Sequence, residues 1–393
     1  MAQWNRVPLI DYIELIGGGT PKTTVPEYWN GNIPWLSVKD FNNDKRYVYS
    51  TEKHISQSGF ENSPTKMLHK DDIIISARGT VGEIAMIPFD MAFNQSCYGI
   101  RASRGIDKPF LYYLLKNCIS QLKRMTHGSV FDTITRDTFA NIEVDIPDAE
   151  TQKRISSVLA DIDNKIEVND AINDNLEQQA QSYFQELFVD NADPEWAIGT
   201  ISDLGTVVGG STPSKAKPKY YTESGIAWIT PKDLSINKSK FVSHGENDIT
   251  ELGLKNSSAA IMPEGTVLFS SRAPIGYIAI AAGEVTTNQG FKSVVPKPEI
   301  GTPFVYFFLK NTLPVIEGMA SGSTFKEVSG STMKNVPAVI PDAETLAKFS
   351  DFCAPIFAQQ RILEEQNQSL ATLRDNLLPK LMSGEIDVSA VQL

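Results

Sequence analysis

Two arginines, two asparagine–glutamine pairs and two lysines recur in this 393-residue chain in nearly the same local context. Arg78 follows an apolar run in Ile75-Ser76-Ala77-Arg78-Gly79-Thr80-Val81-Gly82, and Arg272 does so in Phe269-Ser270-Ser271-Arg272-Ala273-Pro274-Ile275-Gly276. An arginine on a tight loop at a strand end is placed to reach a phosphate or a guanine edge, with Gly79 and Thr80 beside it. Paired to a carboxylate, it would instead be structural. Asn94-Gln95 and Asn288-Gln289 carry amides of the kind that read adenine, or that fold turns by bonding backbone. Lys39 and Lys232 follow tryptophan-containing runs and could contact phosphate. Ser129 and Ser323 sit in small-residue loops, with Lys326 near the second, and could donate to phosphate.

Signatures of catalysis are missing. Gly17-Gly18-Gly19-Thr20-Pro21-Lys22-Thr23 fails as a phosphate loop because Pro21 stands where glycine must precede the lysine. A turn using glycine-permitted backbone angles is expected there. Asp148, Glu150 and Lys153 superficially resemble a nuclease cluster, but the copy at Asp342 and Glu344 sits at the same kind of helix entrance, which points to capping. His54, His69, His127 and His244 have no metal-ligand spacing and read as surface residues. There is no Gly-x-Ser-x-Gly, no dinucleotide-binding glycine turn and no motif for gripping a target amine.

The elements that must position the recurring residues recur too. Gly18-Gly19-Thr20-Pro21 matches Gly210-Ser211-Thr212-Pro213, and Trp35-Leu36 with Lys39-Asp40 matches Trp228-Ile229 with Lys232-Asp233. The run from Phe110 to Asn117 matches that from Phe304 to Asn311. The chain is therefore a tandem duplication. Within each copy, Ile73–Ser76 and Gly82–Ile87 read as strands, Pro109–Leu122 as a buried helix with a copy starting at Pro303, and Ile142–Ile146 as a strand matched by Val336–Ile340. Each copy then enters a long helix through an Ile-Pro-Asp-Ala-Glu-Thr segment.

The first long helix, over Gln152–Phe188, contains no proline or glycine and carries a heptad seam of Ile155, Leu159, Ile162, Ile166, Leu176, Ala180, Tyr183 and Leu187. At ~1.5 Å per residue it spans roughly 55 Å and needs a partner. The partner seam is Phe349, Ile356, Leu363, Leu370 and Leu377. Asn173 and Asn367 occupy equivalent seam positions and are expected to meet across it, fixing register. The predicted class is α+β, twice, with the long helices forming an antiparallel coiled coil of pseudo-two-fold symmetry. The predicted domains are 1–146 and 195–340, with spacer helices 147–194 and 341–393.

Net charge is −11, yet the two globular segments are close to neutral and the excess acid lies in the helical ones. A neutral domain can present a basic face, so charge alone leaves nucleic acid open, while the acidic helices would repel it. No apolar run is long enough to span a membrane and the first residues do not read as a signal peptide. Three cysteines without CxxC spacing fit a reducing cytoplasm and argue against a disulfide framework or zinc.

These motifs, in this order and twice over, resemble the specificity subunits of type I restriction-modification systems. The resemblance rests on the Gly-Gly/Ser-Thr-Pro turns, the Trp-Leu-Ser-Val-Lys-Asp and Trp-Ile-Thr-Pro-Lys-Asp segments and the two arginine loops. Asn-Gln at 94 and 288, the Ile-Pro helix entrances and the closing segment from Leu377 to Ile386 complete it. The second copy departs at Ala273-Pro274, so its loop is expected to meet DNA differently. The resemblance implies a non-catalytic subunit whose two target-recognition domains each read half of a bipartite, asymmetric double-stranded DNA site. The coiled coil would space them and dock two methyltransferase subunits. S-adenosylmethionine would be bound by those partners, and ATP and Mg by two motor-nuclease subunits. The alternatives are a self-contained nucleic-acid-modifying enzyme with degenerate motifs, and a purely structural coiled-coil scaffold.

Overall fold

The computed structural model describes residues 4–126, 133–272, 274–322 and 326–391. The chain divides into two compact units. One comprises 1–168 with 367–393, and the other comprises 169–366. Each unit is a globular part plus one half of each long helix.

In the first unit, one antiparallel sheet runs in the order Ile13–Gly17, Cys97–Ala102, Ile73–Ser76, Ile84–Met86. A second sheet runs Lys53–Ile55, Trp29–Leu36, Met91–Phe93, Met67–Leu68, with Trp29–Leu36 and Met91–Phe93 parallel. The strand Ile73–Ser76 is buried throughout because both its faces are covered. Ile73 and Ile75 join the core formed with the helix Lys108–Thr126, while Ile74 faces the core around Leu36 and Phe93. Val267 and Phe269 face one core and Leu268 the other in the second unit. The helix Lys108–Thr126 is buried all round from Phe110 to Leu115, whereas beyond Lys116 it buries only the stripe of Cys118 and Leu122. Thr302–Met319 repeats it.

The second unit's main sheet has five strands, in the order Gly205–Gly209, Lys292–Pro296, Val267–Ser271, Ile275–Ala281, Phe241–Val242. In each unit a two-stranded ribbon joins the segment leading into the globular part to the strand leading out of it. Asn5–Pro8 pairs with Glu143–Ile146, and Ala197–Thr200 with Pro337–Ile340.

The long helices span Ala149–Gln185, extended by a π turn over Glu186–Asp190, and Ala343–Met382. Asp148 and Asp342 cap them by accepting from the backbone N–H groups of Thr151 and Thr345, both at 2.9 Å. Within the first unit the helix halves run antiparallel. Arg154 bonds the carbonyls of Ser389 and Val391, and further along Asp163 meets Arg374. Within the second, Asn169 meets Gln366 and Tyr183 meets Phe352 in the same antiparallel sense. Ile155, Leu159, Phe349, Ile356 and Leu363 are buried as the heptads require, while Ile162, Ile166, Leu176, Leu370 and Leu377 are half-buried. Phe184 and Phe188 bury more completely than their seam neighbours Tyr183 and Leu187. Asn173 falls in the second unit and Asn367 in the first.

Each globular part grips its helix halves through polar groups. In the first unit the Tyr113 hydroxyl donates to Asp163 at 2.6 Å, and Arg374 donates to Asp163 at 2.9 Å and to Asp44 at 2.7 Å. Burial works against the Arg374 charge, but Asp375, Asp44 and Asp163 outweigh it and raise its pKa. Arg46 reaches Asn164 on the first long helix. In the second unit, Lys240 donates to Glu177 at 2.7 Å and to Gln360 at 2.9 Å, and its ammonium lies 3.5 Å from the Phe357 ring centroid. Lys310 and the Tyr306 hydroxyl also donate to Glu177. Burial alone would raise the Glu177 carboxyl, but Lys240 and Lys310 hold it down at about 2. Burial lowers Lys240 to about 8 against the attraction of Glu177.

Candidate nucleic-acid interface

The scattered motifs of each copy meet at one place. In the first unit Gly19 N–H donates to the Phe93 carbonyl at 2.9 Å, and the Trp35 indole donates to the Gly19 carbonyl at 3.1 Å. Asn94 N–H bonds Leu36, and the Thr20 hydroxyl donates to the Gln95 side-chain oxygen. The second unit repeats the set. Ser211 N–H bonds Thr287, Trp228 donates to the Ser211 carbonyl at 3.0 Å, Asn288 N–H bonds Ile229, and Thr212 donates to Gln289. The glycines serve close approach, not the unusual backbone angles expected of them. A Cβ on Gly18 would lie 2.0 Å from the Asn94 carbonyl oxygen, and one on Gly210 would lie 2.0 Å from that of Asn288. Neither residue has positive φ. Trp35 and Trp228 are buried, as core tryptophans with a satisfied N–H should be.

The lysines sit on the first turn of short helices, Val38–Phe41 and Pro231–Ile236. Each helix starts in a capping box, Ser37 with Asp40 and Thr230 with Asp233. The same aspartates accept a second backbone N–H, from Glu52 at 2.8 Å and Glu246 at 2.9 Å, and so tie down a neighbouring loop. Lys39 and Lys232 are left exposed on this fixed turn. Lys232 bonds Glu246 at 2.6 Å, an exposed pair that costs little to exchange for another anion.

The arginine loops are built alike. The Ser76 hydroxyl accepts from Glu83 N–H and donates to the Thr80 carbonyl, while Ser270 accepts from Tyr277 N–H and donates to the Pro274 carbonyl at 2.9 Å. The loop therefore keeps its closing bonds where Gly-Thr becomes Ala-Pro. Gly79 is exposed with φ +79°, in open space, so its conformation rather than its size calls for glycine. Ala77 N–H bonds Ser96, which brings Arg78 and Thr80, both exposed, to the Asn94-Gln95 loop.

In the second unit Lys232, Arg272, Asn288 and Gln289 line one cleft of about 500 Å³ with Lys215, Trp228, Thr230 and Glu246. Among the described residues Arg78 has no ion-pair partner, whereas Arg272 lies 3.7 Å from Glu327. The Asn94 and Asn288 oxygens accept from Ser96 N–H at 3.0 Å and Gly290 N–H at 2.8 Å. These are turn-forming bonds, and they leave the NH₂ as the free donor. Lys326 is exposed next to Glu327. Ser129 and Ser323 lie outside the described residues, as does His127. His69 and His244 are exposed and pair with Asp90 and Asp248.

Sequence reasoning missed Lys215, Lys292 and Glu327. Lys292 donates weakly toward Ser271 and the Gln289 carbonyl and lies 3.6 Å from Glu327. The positions of Lys215, Lys292 and Glu327 in the first copy hold Thr23, Tyr98 and Thr133, so the repeat gave no signal for them. The Thr20 and Thr212 hydroxyls were findable, because Gly/Ser-Thr-Pro recurs. Among the described residues no cluster of His, Cys, Asp or Glu could hold a metal, and no helix is long and apolar enough to cross a membrane.

Comparison with known proteins places this geometry. The type I restriction modification DNA specificity domain matches residues 1–178 and again 194–373. The MjaIX specificity subunit of Methanocaldococcus jannaschii is 39% identical over 194 residues, 47% of this chain and 45% of that protein. The match thus spans about half that relative's length. The HindI specificity subunit of Haemophilus influenzae is 24% identical over 356 residues, covering 70% of this chain and 77% of that protein. The crystal structure of a type I S subunit from M. genitalium shares the fold, with a TM-score of 0.57 at 16% identity over 97% of this chain and 96% of that one. The chain belongs to the type I restriction-modification DNA specificity family, whose domain it carries in two copies.

Proposed function

We propose that this chain is the non-catalytic, DNA sequence-reading subunit of a type I restriction-modification complex. Each globular part reads one half of a bipartite, asymmetric site in double-stranded DNA. The long helices act as the spacer and dock two methyltransferase subunits that bring S-adenosylmethionine. Two motor-nuclease subunits, using ATP and Mg, join them for restriction. The complex works in the cytoplasm in this reading.

One observation carries the proposal. Both copies gather the same scaffold of Gly/Ser-Thr-Pro turn, buried tryptophan, capped lysine turn and Asn-Gln loop, yet surround it with different side chains. Identical scaffolds support a shared task, and the differing surroundings support two different half-sites. Replacing residues 1–146 with those of another family member, within the assembled complex, should alter one half of the methylated sequence and leave the other intact. Mapping methylated positions in host DNA reads this directly. A change in both halves would sink the modular reading.

A further inference from the structure

We infer that Glu327 is a specificity-determining residue of the second recognition unit, a fixed carboxylate that holds the anion position in front of Arg272 until DNA displaces it. The inference rests on the reading that this cleft faces DNA. Glu327 lies between two cations, 3.7 Å from the Arg272 guanidinium and 3.6 Å from the Lys292 ammonium. Its backbone is pinned. Glu327 N–H bonds the Ser321 carbonyl at 2.9 Å, Ser321 N–H bonds back at 3.1 Å, and Val328 N–H bonds Ser271 at 2.9 Å. The carboxylate is 40% exposed, so it meets solvent at the same surface as Arg272.

A carboxylate bridging arginine and lysine occupies the electrostatic position that a phosphate would take. Any duplex approaching Arg272 must pull the arginine away from Glu327 and also bring its phosphates near that negative charge. Only a sequence that returns enough base contacts offsets both costs, so non-specific binding through this unit is suppressed. Among the described residues the first unit has no such device. Ile134 N–H bonds Ala77 just as Val328 N–H bonds Ser271, which sets Thr133 at the place of Glu327. Arg78 is therefore open to any phosphate, and the second unit should discriminate more sharply than the first.

The test uses the full chain and a random-sequence 30-base-pair duplex, with binding followed by anisotropy over a range of salt. Glu327→Gln should tighten binding about tenfold at low salt and steepen the logarithmic salt dependence by about one. Adding Arg272→Ala to Glu327→Gln should abolish the gain. Thr133→Glu, in the first unit, should weaken binding to the same duplex. Unchanged or weakened binding by Glu327→Gln, while Arg272→Ala alone still weakens it, would overturn the gatekeeper and leave the DNA-facing cleft standing. If Glu327→Gln leaves binding unchanged and Arg272→Ala alone also has no effect, the cleft is not a DNA surface and both ideas fall. A loss of thermal stability in Glu327→Gln to match its change in binding would show a structural carboxylate and would also overturn the inference.

Discussion

At equivalent places where a globular part meets its helices, the two units solve the same packing problem in opposite ways. The first unit buries Tyr113, Asp163 and Arg374 as a hydrogen-bonded set. The residues 194 positions removed, Phe307, Phe357 and Ala180, lie together in one apolar core of the second unit. Phe307 packs against Phe357 with centroids 6.1 Å apart. The polar anchor of the second unit has moved to Glu177, gripped by Lys240 and Lys310. The first unit has Ala371 at the position of Glu177, although Arg46 and Lys116 still occupy the places of the two lysines. What the fold requires at this contact is filled volume and balanced charge, and which residues supply the charge is free to differ.

Breaking the buried ion pair should give the largest effect. Arg374→Ala leaves Asp163 buried with only the Tyr113 hydroxyl, and strips Asp44 of one of its two cations. Burial would raise the Asp44 carboxyl, and Lys116 and Arg374 together now hold it down. Removing one partner of a buried pair typically costs ~3–5 kcal/mol. Urea denaturation of the full chain should show that loss. A change under about 1 kcal/mol would mean that solvent reaches Asp163 freely.

The anchor in the second unit sharpens the comparison through pH. The Glu177 carboxyl is depressed from 4.5 to about 2, so its stabilising contribution is present in full above pH 4.5. It is lost as the pH falls toward about 2, because the unfolded chain takes up the proton first. That shift corresponds to about 3 kcal/mol. Stability measured against pH for the native chain and for Glu177→Gln should converge across this window. Parallel curves down to pH 2 would refute the depressed carboxyl.

Much of this architecture was legible because it was written twice. Ile73–Ser76, the helix from Pro109 and the strand before each long helix were readable from period and punctuation, and the repeat corroborated each. What escaped has identifiable causes. Heptad reading assigns charged positions to solvent, so Asp163 and Arg374 passed unnoticed although the structure buries both. Gly18 looks like any turn glycine, since nothing local reveals the Asn94 carbonyl lying against it from a segment far along the chain. Glu327 was invisible to a method built on recurrence, because its counterpart is Thr133. At the interface, recurrence found the shared scaffold and missed the residues that make the two copies differ.

The smallest expected effect comes from exchanging one solution for the other. Tyr113→Phe, Asp163→Phe and Arg374→Ala together would give the first unit the set found in the second. Each change alone leaves a polar group or a space without its partner, whereas the three together remove the charges as a group and return aromatic volume to the gap left by the arginine. Replacing a buried ionic cluster by apolar residues of similar total volume is often neutral or stabilising. The triple variant should therefore recover most of the ~3–5 kcal/mol lost by Arg374→Ala. Such strong non-additivity is expected of three residues sharing one contact. Full additivity, with the triple variant less stable than Arg374→Ala, would show that the two seams are not interchangeable. The Asp163–Arg374 pair would then be required by the shape of the first unit, independently of its charge balance.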